Sequence, residues 1–210
     1  SGILLIFAYA FAAIFFITNT AGILRSQGKS LAPDLTTAAG NGLLLLAWIM
    51  SSAQPEWKSL IISAWMVVFG TGAFLIFRLT QRREPFYVYG SVCIAMLAAA
   101  TSAELEGPTM MIAYTLESCL ISLVVFTVFN EAKTAQRFAG LLAGPMLLAI
   151  PSLFSEAWEE SVFNQDFFAL LVLVLSFFAL AVFFYKPVRQ LKESGPRQFN
   201  TLILILGSLY

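Results

Sequence analysis

Long apolar runs separated by short polar segments recur along the whole sequence. Most runs are close to the ~20 residues that an α-helix needs to cross a bilayer. Helices are expected because a backbone exposed to lipid must satisfy its own hydrogen bonds, and continuous apolar runs are not the alternating pattern of membrane β-strands. The predicted fold is an all-α polytopic transmembrane bundle built of tight hairpins. Seven full spans and a partial eighth are predicted at 2–24, 36–53, 57–79, 86–104, 108–129, 135–154, 166–186 and 198–210.

Proline and threonine residues refine this picture at the ends and irregularities of the predicted helices. Pro108 stands at a predicted helix start, where its missing N–H costs no hydrogen bond. Thr36 or Thr37 is expected to cap the start of the second span. Pro145 and Pro151 lie inside the sixth run, which is therefore predicted to be kinked or broken there. Either an ordinary packed kink or a functional hinge fits that pattern.

The composition supports a membrane protein and excludes several kinds of chemistry. The chain is 59% hydrophobic and 11% charged, whereas a soluble domain is about 25% charged. The sequence contains no histidine, which argues against most histidine-based acid–base or metal chemistry. Cys93 and Cys119 both lie in apolar runs and are expected to pack as free thiols. We predict no catalytic residue, no cofactor and no metal site.

The distribution of Lys and Arg predicts the orientation of the chain. Basic residues cluster after the odd-numbered spans, and Lys58 is the exception among the twelve. Short loops rich in Lys and Arg stay in the cytoplasm. The odd-numbered loops are therefore predicted to be cytoplasmic and the N-terminus to be outside, as in a bacterial inner-membrane protein. The clustered residues are Arg25, Lys29, Arg78, Arg82, Arg83, Lys133, Arg137, Lys186, Arg189, Lys192 and Arg197.

Glu117 is the most unusual polar residue, because it lies near the centre of the apolar run PTMMIAYTLESCLISLVVFTVF. A charged residue at that depth costs about 2.5–3.5 kcal/mol on insertion scales. The carboxyl is either neutral or faces a wet or paired interior. Tyr114, one helical turn earlier, is a suitable hydrogen-bond neighbour. A proton or cation site and a neutral Glu bonding to another helix both fit this pattern.

Asn41 is the second polar residue predicted to lie within a span. It stands between Gly40 and Gly42, which allow close helix approach. Packing between helices and membership of an internal polar site are both open interpretations. Glu117, Tyr114 and Asn41 together form the candidate intramembrane polar site.

Residues 91–126 resemble a family of uncharacterised bacterial multi-pass membrane proteins called the domain of unknown function 2339 family. The shared pattern is a Gly-Pro turn at 107–108, followed by a small residue, an aromatic residue and Leu-Glu at 113–117. The family tends to have Trp where this chain has Tyr114. The resemblance implies a long array of membrane helices and no known activity. It also raises the expectation that Glu117 recurs in such helices.

Two classes of function remain open for the sequence. The leading prediction is an integral inner-membrane protein of transport or envelope-related type, with an internal polar site at Glu117. The alternative is a non-catalytic membrane scaffold or complex subunit in which a protonated Glu117 bonds between helices. We expect residues 1–210 to form a single transmembrane region, as a fragment of a longer protein. Expected partners are the lipid bilayer and other membrane subunits or further helices, and no nucleic acid.

Overall fold

A computed structural model describes residues 2–26, 31–189 and 194–210. Those residues are almost entirely helical and include no strand. The helices are α1 (Gly2–Arg25), α2 (Ala32–Ser52), α3 (Pro55–Thr80), α4 (Arg83–Glu104), α5 (Gly107–Phe129), α6 (Ala132–Ala139), α7 (Ala143–Ser152), α8 (Ala157–Glu160), α9 (Gln165–Arg189) and α10 (Ser194–Leu209). The predicted basic residues Lys29 and Lys192 lie outside the described residues.

Six of the described helices, α1 to α5 and α9, are long and apolar enough to cross a membrane. The prediction of an all-helical, multi-pass membrane protein is therefore confirmed at this level. The count of seven full spans and a partial eighth is not confirmed. The predicted sixth span corresponds to the shorter helices α6 and α7, joined by a 3₁₀ turn at Gly140–Leu142. The predicted partial eighth corresponds to the 16-residue helix α10.

The interruption between α6 and α7 lies just before Pro145. This residue has no N–H to donate to the carbonyl of Leu141, so the regular α-helical bond is missing there. The tighter 3₁₀ turn falls directly upstream. Pro151 is the penultimate residue of α7, which ends at Ser152.

The start of α2 lies earlier than the cap prediction assumed. The helix begins at Ala32, with Leu31 in the cap position and Pro33 in the first turn. The Thr36 and Thr37 hydroxyls donate to the carbonyls of Ala32 and Pro33, both at four residues' separation. The prediction that either threonine caps the helix was wrong, because both lie inside it.

The chain divides into two compact units, Ser1–Glu104 (unit 1) and Leu105–Tyr210 (unit 2). In unit 1, α1 packs on α2 and α3, and α4 packs on α3 and α2. The rings of Phe16, Phe69 and Tyr89 meet at its centre, with centroids 5.2–5.8 Å apart. Gly72 allows this approach, because a Cβ there would lie 2.7 Å from the Phe16 ring.

Two hydrogen bonds at opposite ends of unit 1 agree with an up-and-down path. Arg82 Nη1 donates to the carbonyl of Ser26 over 3.3 Å, so the segments after α1 and α3 lie at the same end. The Ser59 hydroxyl donates to a carboxylate oxygen of Glu104, which joins the start of α3 to the end of α4 at the other end.

In unit 2, α5 packs on α6, α7 and α9, and α9 packs on α10. Two hydrogen bonds tie α10 to the α6–α7 segment. Gln136 Nε2 donates to the carbonyl of Pro196 over 3.2 Å, and the Tyr210 hydroxyl donates to the carbonyl of Met146 over 3.0 Å. Both partners advance along the chain from the first bond to the second, so α6–α7 runs beside α10 in the same direction.

Candidate functional site

Asn41 lies near the middle of α2 and bonds to the neighbouring helix. Its Nδ2 donates to the carbonyl of Ala12 in α1 over 3.1 Å. The adjacent Gly42 is also tightly packed, since a Cβ there would collide with Val92 and touch Phe69. An interhelical hydrogen bond of this kind contributes about 0.6 kcal/mol on average in membrane proteins. Asn41 thus joins α1 to α2 within unit 1.

A groove of ≈ 290 Å³ lies beside Asn41 between α1 and α2. Apart from the Asn41 amide, the walls of the groove are apolar. Both helices that form the groove are long and apolar enough to cross a membrane. The lining residues are Leu4, Phe7, Ala8, Phe11, Ala12, Phe15, Asn41, Leu44, Leu45 and Trp48.

Glu117 and Tyr114 occupy successive turns of α5 and are both partly buried. Each interacts with neighbouring groups in the structure. Glu117 lies beside the most buried face of α5, directly before the buried Ser118. These two candidate residues belong to unit 2, whereas Asn41 belongs to unit 1.

The buried face of α5 carries three hydroxyl groups that the sequence analysis did not single out: Thr115, Ser118 and Ser122. The Thr115 hydroxyl donates to the carbonyl of Met111 over 2.8 Å, within the helix. The Ser122 hydroxyl donates to the carbonyl of Ala135 in α6 over 2.9 Å. Their spacing of three and four residues, which places them on one helical face, was the signal that could have found them.

Tyr89 is a second residue that sequence reasoning missed. Its side chain is fully buried in unit 1, and its hydroxyl lies 3.3 Å from that of Thr20 in α1. The ring meets Phe16 and Phe69 at centroid distances of 5.6 and 5.8 Å. The Tyr89 ring fills the centre of unit 1, and its hydroxyl has a hydrogen-bond partner within the same unit.

Asn200 in α10 is a third missed residue, and it is only partly satisfied. Its Nδ2 donates to the carbonyl of Ala181 in α9 over 3.2 Å. Its Oδ1 is buried and has no hydrogen-bond partner among the described residues. An unpaired buried acceptor costs roughly 1–3 kcal/mol, so this amide joins two helices at some expense in stability.

The described residues contain no group of three or more His, Cys, Asp or Glu that could hold a metal ion. Cys93 and Cys119 are free thiols, and the Cys119 sulfur lies 3.9 Å from the carbonyl of Ser176 in α9. The contact of Cys119 therefore joins α5 to α9.

No family model, curated protein or solved structure matches this chain. The class of protein therefore rests on the fold itself: a multi-pass integral membrane protein whose described residues include six helices suited to crossing a bilayer.

Proposed function

We propose that this protein is a non-catalytic scaffold or complex subunit of a bacterial-type inner membrane. The observation that carries the proposal is the use of polar side chains within the apolar helices. Asn41 bonds to the Ala12 carbonyl, and Ser122 bonds to the Ala135 carbonyl. In both cases a side chain on one helix donates a hydrogen bond to a backbone carbonyl of a neighbouring helix. Polar residues hold membrane helices together through bonds of this kind.

In this proposal Glu117 is a neutral, protonated carboxyl that bonds between helices. The residues that share its face of α5 are Ala113, Tyr114, Leu120 and Ile121, of which Tyr114 carries a polar group. A neutral carboxyl can donate as well as accept, and it avoids the cost of a charge in hydrocarbon.

The proposed topology places the N-terminus outside and the segments after odd-numbered spans in the cytoplasm. Arg25 and Arg78 lie in the last turns of α1 and α3, and the Arg82–Ser26 bond joins those ends. The proposal counts α6–α7 as one crossing and α10 as the partial eighth span. Membership of the domain of unknown function 2339 family is part of the proposal and rests on the pattern at 107–117.

Transport with a site at Glu117 is the second candidate function. It is favoured by the position of an ionisable carboxyl that is only partly buried near the centre of a membrane helix. Intramembrane carboxyls of this kind mark proton or ion pathways in many transporters. The two candidates differ in what Glu117 must do: remain neutral and bonded, or gain and lose a proton.

Two variants of Glu117 separate the candidates. Glu117→Gln keeps a neutral hydrogen-bonding group, and Glu117→Ala removes it. Leu120→Ala, at an exposed position one turn later in α5, is the matched control. Membrane abundance and thermal unfolding in detergent report the structural role. Uptake of protons by proteoliposomes under a potassium diffusion potential reports the transport role.

The scaffold proposal predicts that Glu117→Gln keeps normal abundance and that Glu117→Ala lowers it more than Leu120→Ala does. Proton uptake should equal that of empty vesicles for every variant. A proton flux of the unaltered protein that Glu117→Gln abolishes at normal abundance would replace the scaffold with the transport proposal.

A further inference from the structure

The helices of unit 2 pack in the same order as those of unit 1. In unit 1, α2 and α3 contact each other, and both contact α1 and α4. Among the described residues, α1 and α4 do not pack extensively together. If α5, α6–α7, α9 and α10 take the places of α1 to α4, every one of these statements holds for unit 2. Contacts between the two helices of one hairpin are expected in any chain of this kind. Contacts between the two hairpins of a unit need not agree from one unit to the other, but here they do.

The faces of α3 and α9 also correspond, at a shift of 108 positions from Phe69 to Phe177. Five pairs are buried in both helices: Ile62/Leu170, Phe69/Phe177, Gly72/Leu180, Ala73/Ala181 and Ile76/Phe184. Four pairs of large apolar residues are exposed in both: Leu60/Phe168, Val67/Leu175, Phe74/Val182 and Leu75/Phe183. Val68 is exposed where Ser176 is buried, which is the clear exception along this stretch.

Helices α4 and α10 correspond through a proline in the third position of each. Pro85 follows Arg83 and Glu84, and Pro196 follows Ser194 and Gly195. The prolines set a shift of 111 positions without reference to burial. At that shift three further pairs are buried in both helices: Tyr89/Asn200, Val92/Ile203 and Met96/Gly207. Phe86 is buried where Arg197 is exposed, which is the exception.

The two hairpins also share the same register between their helices. In unit 1 the Tyr89 ring lies against Gly72, where a Cβ would be 3.3 Å from its Cδ1. In unit 2 Asn200, at the position of Tyr89, bonds to the carbonyl of Ala181. Ala181 is one residue from Leu180, which occupies the position of Gly72. Equivalent residues of α4 and α10 therefore meet equivalent levels of α3 and α9.

The α6–α7 segment fits the place of α2 in length and direction. Its parts of 8, 3 and 10 residues together equal the 21 residues of α2. Its two bonds to α10 show that it runs beside that helix in the same direction, despite the 3₁₀ turn. We infer that unit 2 is a second copy of the four-helix unit 1, and that α6–α7 crosses the membrane as a single span.

The duplication predicts a cross-link in unit 2 from a contact seen in unit 1. A Cβ at Gly70 would lie 3.1 Å from the sulfur of Cys93, so Gly70→Cys should form a disulfide with Cys93. The equivalent positions are Phe178 and Leu204. Both are 37% exposed, so cysteine at either is expected to be tolerated.

The experiment uses the full chain in native membranes with copper phenanthroline as oxidant. Phe178→Cys is combined with Leu204→Cys after replacement of Cys93 and Cys119 by Ala. The control pairs Phe178→Cys with Leu202→Cys, on the other flank of the buried face of α10. Mass spectrometry of the digested protein detects the linked peptides, and abundance is compared with that of the unaltered chain.

We expect the Gly70/Cys93 and Phe178/Leu204 pairs to cross-link in most of the protein and the Leu202 control to remain largely unlinked. Cross-linking of Gly70/Cys93 without Phe178/Leu204, or preferential cross-linking of the Leu202 control, would overturn the shared register and with it the duplication.

Discussion

Tyr89 and Asn200 occupy the same position in the two units, yet they fill it differently. Tyr89 is fully buried, its ring packs against the Phe16 and Phe69 rings, and its hydroxyl lies within hydrogen-bond distance of Thr20. Asn200 makes one bond to α9 and leaves its Oδ1 without a partner among the described residues. The same arrangement of helices thus forms around an aromatic residue in one unit and a polar residue in the other. The packing order of the helices is shared by the two units, whereas the side chains at their centres differ.

The same contrast appears at the neighbouring position, where unit 1 has Gly72 and unit 2 has Leu180. Gly72 gives room to the Phe16 and Tyr89 rings, whereas Leu180 is itself buried. A small residue in one unit is therefore matched by large rings around it, and a large residue in the other by a smaller polar side chain. The side chains at these two positions therefore change size in opposite directions between the units.

Placing the unit 2 residue in unit 1 should have the largest effect. Tyr89→Asn removes the ring from the aromatic centre and buries an amide in its place. We expect a loss of about 4 kcal/mol, in the range for large-to-small substitutions in a core. Thermal unfolding in detergent and membrane abundance measure it. Tyr89→Phe, which keeps the ring, should cost about 1 kcal/mol. Equal losses for both variants would show that the packing of the ring does not stabilise unit 1.

Filling the glycine of unit 1 should have the next largest effect. Gly72→Leu introduces the residue found at the equivalent position 180, but its Cβ would lie 2.7 Å from the Phe16 ring. Overpacking of this kind costs about 1–3 kcal/mol. Gly90→Leu is the matched control, since nothing lies within 4 Å of a Cβ at Gly90. The unfolding temperature should fall for Gly72→Leu alone, and a comparable fall in the control would show that the crowding at Gly72 is not the cause.

The two interhelical amides should give the smallest effects and should differ from each other. Asn41→Leu loses the bond to Ala12, and we expect a loss of about 0.6 kcal/mol. Asn200→Leu loses a bond but also removes a buried unpaired acceptor, so its effect should be close to zero. Unfolding curves of the two variants in the same detergent make the comparison. A larger loss at Asn200 than at Asn41 would mean that the Oδ1 of Asn200 is satisfied in the membrane.

The sequence predicted the helical membrane class because long apolar runs permit few other structures. It also predicted a kink or break at Pro145, and the helix is interrupted at Gly140–Leu142, just before that residue. The 3₁₀ form of the interruption was not predicted, since proline marks a kink without fixing how the preceding turn adjusts. The start of α2 was also misjudged. Thr36 and Thr37 are good cap residues, but Pro33 in the first turn had already set an earlier start.

Prediction of the candidate site was limited by reasoning from single residues. Glu117 and Asn41 stand out because they are rare in apolar runs. Tyr89 and Ser122 are ordinary in composition, and their importance comes from partners far away in the chain. The correspondence of the two units was hidden for the same reason, because it lies in burial and helix contacts while the side chains at equivalent positions mostly differ.

The most direct test asks whether the two ends of α6–α7 lie on opposite sides of the membrane, as a single crossing requires. Arg137→Cys in α6 and Ser161→Cys after α7 are both exposed positions, and each is placed alone in a chain whose Cys93 and Cys119 are replaced by Ala. Intact cells are treated with a membrane-impermeant maleimide before and after permeabilisation. We predict that Ser161→Cys reacts from outside and Arg137→Cys reacts only after permeabilisation. Reaction of both from the same side would contradict a single crossing by α6–α7 and the equivalence of the two units.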